Sequence, residues 1–382
     1  MMSKKNINVL SSEFLSFVFT LIVVILVATY LYFIKFDHNI TGFFRIGSVL
    51  PISPYLHNTK LFIYQKEIGY DGQQFLNLAL DPFLNHPETL NSLDHPVYRY
   101  RRILYPLISY LFSLGNKFLI PYIMIGINII SISLIVYIMG LHYKKNEFIS
   151  PYNSLLTLCV PSIWIVLSLG TSDLLSSLFL VTSFYYYHRN NYKLTALMIS
   201  LGCLTRETLL IAWFSLFISS LVENKHKQIR YLLYGIIPPT LWTFYITLLD
   251  LPGKTRIDDN FGIPFLGIFH KLVNILTNGV NVSNLFELYM FVVLLASFII
   301  IPLSTIKNNK NNLLIQICNI FYGIVFMFSS FTVLGYYLDY SRVFMDIYFL
   351  MLFNLNSIEI YRRNFLISSI GLGSSLFLIF YS

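Results

Sequence analysis

The residues of this chain whose types and spacing could do chemistry are a few charged side chains in an apolar background. Asp71 lies between Gly69 and Gly72 in the segment Gly69–Pro82, and the two glycines permit a turn that holds its carboxylate clear of bulky neighbours. A carboxylate placed in this way can take a proton from an attacking hydroxyl group. A turn carboxylate that only satisfies its local backbone is the simpler alternative.

A second group of charges interrupts the apolar run Leu194–Val222. Arg206 and Glu207 stand in its middle, where ionised side chains are costly unless they are paired or face water. We predict that Arg206 binds an anionic group, because a guanidinium donates in a fork that matches phosphate. Glu207 would then orient Arg206 or a sugar hydroxyl. A structural ion pair or a helix cap is the alternative.

Asp173 is the third candidate, although it could simply cap the helix that follows it. Asp71 and Asp173 could also share a divalent cation, Mg²⁺ or Mn²⁺, that neutralises a phosphate. The three cysteines lie within apolar runs and have no zinc or disulfide spacing. The chain has no phosphate-cradling glycine-rich loop and no Gly-x-Ser-x-Gly elbow, which argues against ATP hydrolysis.

The composition indicates that these residues lie in a membrane protein. The chain of 382 residues is 56% hydrophobic and only 12% charged, and its mean hydropathy is +0.66. We therefore predict an all-α polytopic membrane protein of about eleven transmembrane helices, each needing roughly 20 apolar residues. The predicted spans are Glu13–Phe36, Ile120–Leu141, Pro151–Leu169, Leu174–Tyr187, Leu194–Val222 as two short helices, Tyr231–Leu249, Leu285–Ile306, Leu313–Tyr336, Val343–Ile360 and Phe365–Phe380.

The formal charge of +8 is explained by membrane topology, so we expect no nucleic acid partner. Basic residues gather in alternate short connectors, including Lys4 with Lys5 and Arg189 with Lys193, as expected on the cytoplasmic side. The acids fall mostly in the other connectors. The long loop 37–119 is therefore predicted to face outward, and its segment Arg101–Lys117 to lie in the outer interface as a helix that does not cross.

Several short segments together resemble the GT-C superfamily of polytopic glycosyltransferases, in particular bacterial proteins of cell-surface glycopolymer formation. The matched segments are Gly69–Gln73, Ala79–Pro82, Tyr98–Leu107 and Leu204–Thr208. The resemblance covers residues 1–250, which we take as a catalytic module, whereas residues 251–382 match only as hydrophobic C-terminal helices. In the family pattern a further acid often follows the position of Asp173. Leu174, Leu175 and Ser176 stand there in this chain, which argues against a shared metal.

The resemblance implies transfer of a sugar from a polyprenyl-phosphate donor to a glycan or lipid acceptor. The protein would lie among the lipids of a bacterial inner membrane, with its active site on the outer face. Asp71 would be the catalytic base. Arg206 is the first expected phosphate ligand, and the other expected substrate contacts are Arg102, Arg101, Arg342, Glu207, Asp173, Tyr70 and Gln73.

Two rival functions remain open from the sequence. A transporter or lipid-linked-sugar flippase would use Arg206, Glu207 and Asp346 as a proton or substrate path. A polysaccharide polymerase or ligase would use the same class of donor on the same face. The absence of a sequence repeat and the concentration of polar residues in the first outer loop favour an enzyme over a transporter.

Overall fold

The protein is built almost entirely from helices. The computed structural model describes residues 11–145, 149–252, 257–279, 281–307, 313–355 and 358–381. Within these ranges the only sheet is one short parallel pair, β1 (Ile46–Gly47) with β2 (Ile63–Tyr64). Lys4 and Lys5, two of the predicted cytoplasmic residues, lie outside the described residues. The all-α class predicted from the sequence is confirmed.

The α-helices follow in chain order: α1 (Ser12–Tyr30), α2 (Asp71–Leu80), α3 (Pro87–Asn91), α4 (Pro96–Tyr100), α5 (Leu104–Phe112), α6 (Ile120–Tyr143), α7 (Pro161–Leu169), α8 (Asp173–His188), α9 (Tyr192–Thr205), α10 (Leu209–Val222), α11 (His226–Leu248), α12 (Ile257–Asn260), α13 (Leu266–Thr277), α14 (Val282–Lys307), α15 (Leu313–Phe328), α16 (Phe331–Leu334), α17 (Tyr337–Val343), α18 (Met345–Phe353) and α19 (Ile360–Tyr381). A π-helical turn, Leu31–Lys35, extends α1, and three 3₁₀ segments, Ile40–Phe44, Pro54–Leu56 and Pro151–Cys159, complete the helical structure.

Four helical segments of the described chain are long and apolar enough to cross a membrane: Ser12–Lys35, Ile120–Tyr143, Val282–Leu303 and Ile360–Tyr381. The segments Pro151–Cys159 and Pro161–Leu169 together make a fifth if their 60° bend is accepted within one span. The chain is therefore an α-helical membrane protein, but the eleven predicted spans are not confirmed. Several of them are helices too short to cross by themselves, such as α8 with 16 residues, which extends about 24 Å.

The run Leu194–Val222 divides as the sequence predicts. Helix α9 ends at Thr205 and α10 begins at Leu209, with Arg206 in extended backbone between them. Helix α9 packs along α8, and the short connection around Asn190 joins their far ends. Asp173 begins α8 and Arg206 follows α9, so both residues lie at the same end of this antiparallel pair.

The first long loop folds into short helices that pack onto the helices that follow it. Within the segment Arg101–Lys117, α5 has nine residues and extends only about 14 Å, too little for a crossing. Helix α2 lies so close to the end of α7 that a Cβ atom on Gly72 would approach the Leu169 carbonyl oxygen to 2.1 Å. Glycine is therefore required there for close backbone approach.

The helix α13 was not predicted from the sequence. It packs against α16, and a Cβ atom on Gly267 would lie 2.1 Å from the carbonyl oxygen of Ser329. Its Lys271 is fully buried and donates to Glu287 of α14 and to the carbonyl oxygen of Gly335. A 12-residue helix that contains a lysine is too short to be recognised as a transmembrane segment, which explains why α13 was not predicted.

Membrane orientation can be tested with single cysteines in a variant whose three native cysteines are replaced by alanine. Asn91→Cys lies in the first loop, and Asn190→Cys lies in the α8–α9 connection; both positions are exposed. In right-side-out membrane vesicles an impermeant maleimide should label Asn91→Cys at once and Asn190→Cys only after the vesicles are opened. Equal labelling of the two variants would contradict the predicted topology.

Candidate functional site

Asp71 is the first residue of α2, so the predicted turn is the start of a helix. Gly69 has a φ of +93°, which glycine adopts without strain, and Tyr70 is the N-cap residue. The positive end of the helix dipole at this position favours a carboxylate. The glycines thus set the entry to α2, and the carboxylate of Asp71 is free to reach across to other elements.

Asp71 contacts three arginines. Its Oδ1 lies 2.6 Å from Nη1 of Arg99, and its Oδ2 lies 2.7 Å from Nη2 of Arg342 and 3.7 Å from Nη1 of Arg102. Burial by itself would raise the pKa of Asp71, but the three guanidinium groups outweigh it and hold this pKa well below its usual range. Asp71 is therefore an ionised acceptor whose two oxygens are both engaged.

The segment around α4 supplies two of these arginines from one face. Arg99 and Arg102 are three residues apart, a spacing that places side chains together on a helical turn. Arg99 also forms a forked pair with Asp94 at 2.8 and 2.7 Å. Arg102 forms a second forked pair with Glu207 at 2.8 and 2.7 Å. The ion pair of Glu207 is therefore with Arg102, and its predicted role in orienting Arg206 or a sugar hydroxyl stays a prediction.

Arg206 and Arg342 both contact Asp173. Arg206 forms an ion pair with Oδ1 of Asp173, and Nη1 of Arg342 lies 3.6 Å from Oδ2 of the same carboxylate. Arg206 also donates to the backbone carbonyl of Arg342 at 3.1 Å, and the hydroxyl of Thr171 donates to Asp173 at 2.6 Å. Ser172 is the N-cap residue of α8 and Asp173 is the first residue of the helix, and the carboxylate of Asp173 pairs with the two arginines.

We call this group of four arginines and four carboxylates the arginine cluster. Its members are Arg99, Arg102, Arg206, Arg342, Asp71, Asp94, Asp173 and Glu207. Four positive and four negative charges make it formally neutral. The members come from the first loop, the α7–α8 connection, the α9–α10 break and α17, so residues on both sides of the predicted boundary at residue 250 build one site.

Some guanidinium donors in the cluster have no acceptor. Within the described part of the chain, Nε of Arg342 and Nε of Arg206 are buried without a hydrogen-bond partner, and Nη1 of Arg342 has only the Asp173 oxygen at 3.6 Å. Arg342 and Arg206 are only 6% and 4% exposed. Leaving such donors unsatisfied is unfavourable. An anion with several oxygens, such as a phosphate, would satisfy them.

Tyr70 joins Asp339 to the cluster. Its ring lies beneath the guanidinium of Arg342, 4.9 Å from ring centroid to Cζ, and its hydroxyl donates to Oδ1 of Asp339. Burial raises the pKa of Asp339 above its usual range, although the charge of Arg342 opposes this. Sequence reasoning did not place Asp339 in the site; its spacing of three residues from Arg342 was the only available signal.

Helix α17, which carries Asp339 and Arg342, is held by α14. Glu287 accepts the backbone N–H of Tyr337 at 3.2 Å, and the hydroxyl of Tyr340 donates to the Glu287 carbonyl at 3.2 Å. The buried pair of Glu287 with Lys271 ties the same point to α13. This fixed helix sets the position of the Arg342 guanidinium.

Three other predicted residues lie apart from the cluster. Gln73 is buried and accepts the backbone N–H of Gly47 at 3.0 Å, so it braces β1. Arg101 forms no ion pair with any described carboxylate. Asp346 accepts hydrogen bonds from Ser177 at 2.6 Å and Tyr322 at 2.7 Å. Of the residues in the predicted path, Arg206 pairs with Asp173, Glu207 pairs with Arg102, and Asp346 is hydrogen-bonded to two hydroxyl groups.

The donor set does not fit the predicted divalent cation. Asp71 and Asp173 each contact at least two guanidinium groups, and a metal ion would have to displace these cations from both carboxylates. No group of three or more His, Cys, Asp or Glu residues with metal-site geometry occurs among the described residues. We therefore derive no step through a metal.

No protein-family model, curated protein or solved structure matches the chain. The GT-C resemblance therefore rests on the short motifs alone.

The buried pair of Asp173 with Arg206 gives a stability prediction. Asp173→Asn should lower the free energy of unfolding by about 3–5 kcal/mol, because it leaves the buried Arg206 without its carboxylate. Arg206→Gln should lower it by less, because Arg342 still lies 3.6 Å from Asp173. The double variant should lose less than the sum of the two. Unfolding in mixed detergent and SDS measures the effect.

The exposed pair of Arg362 with Glu359, at 3.3 Å and 45% exposure of each side chain, is the matched control. Arg362→Gln should cost less than about 1 kcal/mol. Full additivity of Asp173→Asn and Arg206→Gln would contradict the direct pairing.

Proposed function

We propose that the protein is a membrane glycosyltransferase that moves a sugar from a polyprenyl-phosphate donor to a glycan or lipid acceptor at the outer face of a bacterial inner membrane. The observation that carries the proposal is a buried arginine cluster whose unpartnered donors lie beside carboxylates. The motif resemblance to GT-C enzymes supports the same reading. An arrangement of about eleven crossings, with the short helices of the first loop in the interface, would accompany it.

The arginines suit the leaving group of this reaction. When the bond from the anomeric carbon to the phosphate oxygen breaks, negative charge develops on the lipid phosphate, and preorganised donors stabilise it. Arg342 and Arg206 each offer a buried Nε that has no hydrogen-bond partner within the described residues, and Nη1 of Arg342 has only the longer contact with Asp173 at 3.6 Å. Guanidinium forks bind phosphate oxygens in pairs. We assign the phosphate to Arg342 and Arg206, with Arg102 at its edge.

The site also needs a proton acceptor for the attacking hydroxyl. Asp71 is the residue that the sequence predicts for this step. A phosphate on Arg342 would compete with the contact of that guanidinium to Oδ2 of Asp71 at 2.7 Å and would leave this oxygen with Arg102 at 3.7 Å. In the resting state Asp71 instead orders the three arginines around it.

The lipid donor also explains the location of the cluster. The cluster lies at the ends of α8 and α9 and at the start of α2, and not along the middle of a long span. A lipid phosphate lies at the membrane surface while its polyprenyl chain stays in hydrocarbon, so helix ends are where its headgroup would meet protein. This placement favours an enzyme of lipid-linked substrates over a path through the membrane.

The assay is purified protein in nanodiscs with a panel of polyprenyl-phosphate mannose, glucose, galactose and arabinose, followed by mass analysis of lipid and sugar products. The wild type should release free polyprenyl phosphate and form a glycosidic product from at least one donor. Arg342→Gln should lower the rate by roughly 10²–10³-fold, the usual effect of removing one donor to a developing anion. Arg362→Gln, exposed and distant from the cluster, is the control and should act as wild type.

A wild-type protein that forms no product from any of the four donors would refute the proposal as stated. Movement of a lipid-linked sugar across a liposome membrane without a new glycosidic bond would instead establish the transporter.

A further inference from the structure

The charge environment of Asp71 opposes a role as proton acceptor. Both of its oxygens contact guanidinium nitrogens, at 2.6 Å to Arg99 and 2.7 Å to Arg342, and Arg102 lies 3.7 Å away. Even if a phosphate took Arg342, Arg99 would remain on Oδ1. A proton arriving at Asp71 would have to compete with fixed cations, so its carboxylate is a weak base in this site.

The carboxylate of Asp339 has fewer close cationic contacts than that of Asp71. It forms no ion pair with any described residue, and the only hydrogen bond that its carboxylate accepts within the described chain comes from the hydroxyl of Tyr70. Its side chain is partly exposed, so a substrate can reach it. Burial on the protein side raises the pKa of Asp339, and a higher pKa makes a stronger base near neutral pH.

The position of Asp339 also fits the reaction. It precedes Arg342 by three residues on α17, so both side chains lie on one face of the helix. Tyr70 spans the two, with its ring beneath Arg342 and its hydroxyl on Asp339. A phosphate bound to Arg342 would therefore lie on the face of α17 that also carries the carboxylate of Asp339.

We propose that Asp339 takes the proton from the acceptor hydroxyl, and that Asp71 holds the arginines that bind the phosphate. This inference rests on the proposed glycosyltransferase function and names its base.

The step is balanced in atoms and electrons. The acceptor O–H bond breaks and its proton goes to Asp339, while the acceptor oxygen forms a bond to the anomeric carbon. The bond from that carbon to the phosphate oxygen breaks, and its electron pair stays on the lipid phosphate held by Arg342. Asp339 later returns its proton to water or to the departing phosphate.

The test uses azide, an anionic nucleophile that attacks without losing a proton. Asp339→Asn should transfer sugar to the hydroxyl acceptor at least about 100-fold more slowly than wild type. Added sodium azide should restore turnover as glycosyl azide, detected by mass. Binding of farnesyl phosphate, measured by titration calorimetry, should stay within about twofold of wild type, because the arginine cluster keeps all its members.

Asp71→Asn is the comparison variant. It should weaken farnesyl phosphate binding, and azide should not rescue it, because the arginines that bind the phosphate lose their common anchor. Asp250→Asn, an exposed aspartate outside the cluster, is the matched control and should behave as wild type.

Tyr70→Phe keeps the ring beneath Arg342 and removes only the hydrogen bond to Asp339. It should slow transfer with unchanged farnesyl phosphate binding, and it keeps the proposal testable if Asp339→Asn does not accumulate. Wild-type transfer rates in both Asp339→Asn and Tyr70→Phe would overturn the inference. Azide rescue of Asp71→Asn without rescue of Asp339→Asn would assign the base to Asp71. These results differ from failure of the proposed function, in which wild type itself forms no glycosidic product.

Discussion

The guanidinium of Arg342 is the interaction on which the site depends, because it is shared between Asp71 and Asp173. These carboxylates belong to α2 and α8, and Arg342 belongs to α17. A charge buried in a protein must be paired, since an uncompensated one costs several kcal/mol. The first loop, the α7–α8 connection and the C-terminal segment are therefore held together by one need for charge compensation. That need is met by a balanced set of charges, which makes the cluster compact and places its donors in fixed directions.

The breaks in the helices are what make this arrangement possible. Within a continuous helix the backbone carbonyl and N–H groups are hydrogen-bonded to one another, and ionised side chains extend outward from the helix surface. At the α9–α10 break, Arg206 is extended and its side chain reaches both Asp173 and the carbonyl of Arg342. Gly170 follows the last residue of α7 and lies in the left-handed region with a φ of +59°. The turn at this glycine places Asp173, the first residue of α8, beside Arg206. Short helices whose ends converge thus provide a polar centre that long spans could not.

The sequence predicted, from topology alone, that these distant residues lie on one side of the membrane, and it did not predict the contacts among them. Alternation of basic and acidic connectors placed Asp71, Asp173, Arg206 and Arg342 on one side, and the structure brings these four into direct contact. The break in Leu194–Val222 was also predicted, because basic residues flank both of its ends. These successes follow from charge placement, which a single sequence displays.

The failures concern geometry within and between short elements. Arg101 and Arg102 were predicted but Arg99 was not, although the spacing of Arg99 and Arg102 favours a shared face once α4 is recognised as helical. Asp339 was missed because its partner, Tyr70, is 269 residues away in sequence. No local pattern reports such a contact. Similarly, the partner of Glu207 is Arg102 and not its neighbour Arg206, since side chains of adjacent residues diverge.

The neutral cluster has a consequence for any anion that binds to it. A phosphate does not meet a surplus of positive charge; it must exchange with carboxylates that already occupy the arginines. The free energy of binding is then the difference between two sets of charge-assisted hydrogen bonds, which is smaller than either set alone. The unpartnered donors on Arg342 and Arg206 favour binding of the phosphate. When the phosphate leaves, Asp71 and Asp173 can again pair with the guanidinium groups. An enzyme that must release a lipid phosphate after each turnover gains from such an exchange, because tight retention of the product would limit its rate.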